Sequence, residues 1–184
     1  MSRLTLACAL AGYAVLAYVC CLLPFHLYEP TPQFHLPGIL WFIHLITLYI
    51  HEAGHPLFGM FGRTIGFMGG SLMQVLVPLV WFFVAKKEQS RLMPVALFFT
   101  GESIVDVSIY VKDAATRILP LLGGSKVHHD WWTILGEADM LDWGVPLGTF
   151  LFFAGMMICI GAIVWGVRWT LSEYQLRKDE VYSS

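Results

Sequence analysis

Long apolar stretches separated by short polar ones dominate this chain. Five runs are long enough to cross a hydrocarbon core about 30 Å thick, which takes about 20 apolar residues as a helix. They cover residues 4–28, 37–61, 67–85, 91–112 and 145–167. Pro30, Pro32 and Pro37 interrupt the chain after the first run, and Pro37 suits the opening turn of the second, where a missing N–H costs nothing. Gly62-Arg63-Thr64 makes a short polar turn before the third run, and Lys86-Lys87-Glu88-Gln89-Ser90-Arg91 separates the third from the fourth. A loop over 113–144 and a polar tail over 168–184 complete the pattern. The expected fold is all-α: a polytopic membrane helix bundle, one domain over 1–184, with about five transmembrane helices and one long interfacial loop. Trp131, Trp132 and Trp143 suit that loop to a headgroup layer, with a short amphipathic helix near 131–141.

Composition sharpens the class. Of 184 residues, 57% are hydrophobic and only 13% charged, about half the charge of an ordinary soluble domain. The reading is an integral, multi-pass membrane protein with lipid as its surroundings. A formal net charge of −2 offers no basic surface to collect phosphates, which excludes nucleic acid as a partner. Cys8, Cys20, Cys21 and Cys159 fall in apolar runs without CxxC spacing, so they read as small buried hydrophobes rather than a disulfide framework or a metal knuckle. The first run follows Arg3 as a secretory signal would. It reaches spanning length without a small-x-small cleavage site, and is read as a retained helix.

Against that background the second run carries His51-Glu52-Ala53-Gly54-His55. Ionisable groups at membrane depth are expensive and mark function. Residues four apart share a helix face, so His51 and His55 can hold one ion, with Zn²⁺ as the usual occupant. Glu52 lies about 100° around the helix, beside the metal, where a general base takes a proton from metal-bound water. An HExxH motif inside an apolar helix resembles the intramembrane zinc metalloproteases of the site-2 protease type. The resemblance implies a zinc cofactor, cleavage of a transmembrane or membrane-adjacent peptide, His51 and His55 as ligands and Glu52 as base. It covers the second run. The aspartate that supplies that family's third ligand, in an Asn-Pro-x-Asp-Gly-like motif, has no counterpart here.

Catalytic zinc takes three protein ligands and keeps an open position. Asp106 is the first expectation for the third. His51 lies 14 residues from Pro37 and Asp106 lies 15 from Arg91, so at about 1.5 Å per residue both sit about 21–23 Å along parallel helices. Glu102, one turn away on the same face, is an alternative ligand or an acid behind it. His128, His129 and Asp130 form the other source, since the long loop could fold back as a lid. Gln74 and His44 are placed behind the ligands or against substrate. Gly66-Phe67-Met68-Gly69-Gly70 carries the small-xxx-small spacing that lets helices approach closely. Pro56 removes the hydrogen bond to the Glu52 carbonyl and favours a kink. The rival expectation is a metal-binding membrane protein without hydrolytic activity, acting as transporter, sensor or assembly partner, with Glu102, Asp106 and Asp113 as an ion path.

Overall fold

The computed structural model describes residues 2–120 and 129–183, and helices are the only regular structure among them. In chain order they are α1 (Arg3–His26), α2 (Gly38–Gly59), α3 (Arg63–Lys87), α4 (Met93–Lys112), α5 (Asp130–Glu137) and α6 (Gly144–Ser183). A 3-10 turn, Leu141–Trp143, leads into α6. The all-α bundle stands, and α5 falls where the sequence reading expects a short helix in the long loop.

Two elements depart from expectation. Among the described residues four helical segments, not five, are long and apolar enough to cross a membrane: α1, α3, α4 and Leu141–Asp179. α2 has the length, at 22 residues, but His44, His51, Glu52 and His55 dilute its apolarity. The last helix, in turn, does not stop near 167. It continues to Ser183, so most of the polar tail is helical. Forty residues extend about 60 Å, twice the thickness of a hydrocarbon core. Arg91 Nη2 meets Glu173 Oε1 at 2.5 Å, tying the extension to the connection between α3 and α4.

α4 is the central helix. In its spanning window 72% of residues are buried within the protein, against 22–28% for the other three segments. It packs most extensively on α6 and also on α3. Small residues set the α4–α6 crossing: a Cβ on Gly101 would come 2.7 Å from the Gly155 carbonyl oxygen, and one on Gly155 would come 2.6 Å from the Gly101 oxygen. Close backbone approach of this kind gives dispersion contact where lipid offers no hydrophobic drive. Leu23, Leu40, Phe98, Val105, Ile109 and Cys159 lie in the core around it. All four cysteines are free.

The connections place the functional elements. Gly62 has φ +115°, a conformation that side chains disfavour, and it turns α2 directly back into α3. α3 therefore starts at Arg63, earlier than expected. At the end of α4 the Asp113 carboxylate accepts from the Thr116 hydroxyl at 2.6 Å and from the Ile118 and Leu119 N–H groups at 2.9 and 3.0 Å. Those three bonds fold the following chain, so Asp113 is a loop clasp rather than part of an ion path. Lys112 Nζ donates to the Tyr28 carbonyl at 2.7 Å and lies 3.6 Å from the Tyr28 ring centre, joining the ends of α1 and α4.

Candidate metal centre

α2 and α3 form an antiparallel hairpin whose backbones nearly touch. A Cβ on Gly69 would lie 2.7 Å from the Gly54 carbonyl oxygen, and one on Gly70 would run into the His51 imidazole. The glycine cluster that reads as a packing motif thus also makes room for a ring. His51 and His55 sit on successive turns of α2 with ring centres 4.9 Å apart, edge to face. α2 runs on through Pro56 to Gly59, so the proline does not end the helix that carries them.

Each imidazole is held through Nδ1. His55 Nδ1 lies 2.9 Å from the Gly66 carbonyl oxygen, and His51 Nδ1 lies 3.1 Å from Gln74 Oε1. Both Nε2 atoms turn toward Asp130 Oδ2, at 3.0 Å from His51 and 3.3 Å from His55. One ligand atom from each of the three residues falls within 4.8 Å of the others. The three side chains are 14%, 26% and 17% exposed in the order His51, His55, Asp130, shielded yet reachable. Among the described residues this is the one such group able to hold a metal ion.

Asp130 opens α5, and α5 is fastened to α3 on either side of the site. Trp131 Nε1 donates to Ser71 Oγ at 3.1 Å. Thr64 Oγ1 donates to Glu137 Oε2 at 3.1 Å, and Arg63 pairs with Glu137 at 3.4 Å. Burial pushes the Asp130 carboxyl up, but hydrogen bonds and charge from His51 and His55 outweigh it and hold the group below the usual carboxylate range. The side chain is therefore an anion at neutral pH, which suits it to face a cation.

The other expected residues land nearby in different roles. Asp106 is not beside the histidines. Its Oδ2 accepts from Gln74 Nε2 at 2.6 Å, and its Oδ1 lies 2.8 Å from His44 Nδ1. Its partner on α2 is His44, seven residues before His51, Gln74 fills the space between α4 and His51, and Asp130 stands beside the histidine pair instead. Tyr110 OH lies 3.4 Å from His44 Nε2. Glu102 is buried outside the trio, and its Oε2 has no hydrogen-bond partner among the described residues. His129 caps the start of α5 and stays outside the trio. Burial and the Arg117 charge hold its imidazole below the usual range, against Asp113 and Asp130. His128 lies outside the described residues. Glu52 is partly buried and makes no hydrogen bond or ion pair among the described residues.

Sequence alone assigns no role to Ser71, Glu137 or the Gly66 carbonyl, each of which fixes a member of the trio or the helix that brings one. Trp131 beside Asp130 was the available clue, because an indole N–H in a partly buried position needs an acceptor. Comparison of the chain with protein-family models, with curated proteins and with solved structures returns no match.

Proposed function

We propose that this is an integral, multi-pass membrane protein that binds a divalent metal, with zinc as the usual occupant of such a histidine pair, at His51, His55 and Asp130. We further propose that it is a hydrolase, most simply an intramembrane peptidase acting on a transmembrane or membrane-adjacent peptide. The observation that carries the reading is the convergence of two imidazole Nε2 atoms on one carboxylate oxygen, with both Nδ1 atoms already bonded. Two nitrogens and one oxygen, with a further position open, is a donor set of zinc hydrolases.

The same set also serves non-haem iron, and Glu52 favours hydrolysis. A divalent ion held there supplies a Lewis acid for a carbonyl and makes water more acidic. His51 and His55 bind through Nε2, and Asp130 completes the set from α5. Glu52, next in sequence to His51, accepts a proton as water adds to the scissile carbonyl carbon, and returns it to the nitrogen as the C–N bond breaks. The test compares purified wild type with Glu52→Gln in proteoliposomes carrying membrane peptides. The variant should keep its metal and lose about 10²–10⁴-fold in cleavage; equal cleavage by both would exclude Glu52 as the base.

A second reading, a metal-binding transporter, sensor or assembly partner without hydrolysis, draws on the buried carboxyl groups Glu102 and Asp106 on α4. Acidic groups inside a bundle line ion paths. It requires metal-dependent uptake into liposomes with no peptide cleaved, and cleavage that depends on Glu52 would remove it.

A further inference from the structure

Asp106 stands two hydrogen bonds from His51, and the chemistry of those bonds fixes where a hydrogen sits. A carboxylate only accepts. Asp106 Oδ2 lies 2.6 Å from the Gln74 amide nitrogen, so that nitrogen donates and the amide oxygen faces the other way, toward α2. Gln74 Oε1 lies 3.1 Å from His51 Nδ1. An amide oxygen also only accepts, so His51 Nδ1 carries the hydrogen, which leaves Nε2, 3.0 Å from Asp130 Oδ2, as the nitrogen that a bound ion would take. The second Asp106 oxygen accepts from His44 Nδ1 at 2.8 Å, which leaves His44 Nε2 to accept from the Tyr110 hydroxyl. Reversing the Gln74 amide would set oxygen against carboxylate. His44, Gln74 and Asp106 are 4%, 3% and 2% exposed, so water does not stand in for a lost partner.

We propose that Asp106 is a positioning residue for the metal centre: acting through Gln74, it holds the His51 ring in the form that binds an ion through Nε2. The inference rests on the metal reading above. Metal-binding histidines commonly give their second ring nitrogen to a carboxylate, a carbonyl or a water. Here an amide stands between ring and carboxylate. It orients the ring without placing the Asp106 charge directly on it. His55 is held independently, by the Gly66 carbonyl, and so serves as an internal control.

The test measures Zn²⁺ affinity of the full-length protein as wild type, Gln74→Leu, Asp106→Leu and the double variant. Each single change should weaken binding by about 10–100-fold, the range for lost outer partners of a ligand. The double variant should be no weaker than the weaker single, because residues acting in series do not add. Asp106→Asn keeps an oxygen for the Gln74 amide and should lose less than Asp106→Leu. Nitrogen-15 NMR of the zinc-loaded wild type should show His51 bound through Nε2 with hydrogen on Nδ1. Gln74→Leu should show mixed ring forms at His51 and an unchanged His55. Should Asp106→Leu fail to fold, Asp106→Asn and the wild-type ring signature decide. Losses that multiply in the double variant, or His51 bound through Nδ1 in wild type, overturn the positioning role alone. A wild type that binds no zinc overturns the metal reading together with it.

Discussion

The Asp130 carboxylate meets the His51 imidazole at 3.0 Å across 79 positions of chain. The His51 end is built by the α2–α3 hairpin, where Gly70 leaves space for the ring and Gln74 takes its Nδ1. The Asp130 end is built by a helix that is itself only eight residues long. Short isolated helices are marginal, so α5 depends on its seat against α3. The His51, His55 and Asp130 trio is therefore a product of the hairpin and of the docked helix together.

Gly70 gives the most local test of the hairpin's part. Gly70→Ala places a methyl group where the His51 ring now lies, and the ring must move out of line with His55. Zinc affinity should fall by at least about tenfold, since ligand geometry has to hold within about 0.5 Å. Circular dichroism should show the helix content unchanged, because alanine is the better helix former. Undiminished zinc affinity would mean the ring sits elsewhere.

The seat of α5 makes a graded prediction. Ser71→Ala removes the acceptor for Trp131, a bond worth about 0.5–1.5 kcal/mol, and zinc affinity should fall by about 2–10-fold. Glu137→Ala removes the pair with a largely exposed arginine and the exposed bond from Thr64; contacts so exposed contribute about 0–1 kcal/mol, so its effect should be the smaller. Chelator competition on the two variants reads the order, and a larger loss in Glu137→Ala would contradict it.

Bundle stability separates from the site at the α4–α6 crossing. Gly155→Ala drives a Cβ toward the Gly101 carbonyl and Val105 and should cost about 1–3 kcal/mol, as overpacking does. Gly161→Ala on the same helix meets nothing within contact distance and should leave stability unchanged or slightly raised. Denaturant unfolding in detergent compares them. Equal stability of the two variants would place the crossing elsewhere.

Much of this architecture is legible in the apolar runs, because a helix that buries its backbone in apolar surroundings needs only length and composition. α6 beyond residue 167 is not legible that way: its last turns are polar, and the bond from Arg91 to Glu173 is invisible along the chain. The histidine pair can be read because its spacing is local. The carboxylate that joins the pair cannot, since counting rise along two helices says nothing about rotation around them. Asp106 faces His44 and Gln74. Asp130 comes from a loop whose path depends on tertiary bonds such as Trp131 to Ser71, and the sequence offers it only as one of three adjacent candidates.

Zinc content of the purified protein, measured beside Asp130→Ala and Asp106→Ala, tests the central claim most directly. Wild type should hold about one zinc per chain, as a three-ligand site requires. Almost none should remain in Asp130→Ala, and Asp106→Ala should retain a weaker site. An Asp130→Ala protein that holds zinc as tightly as wild type would contradict that claim.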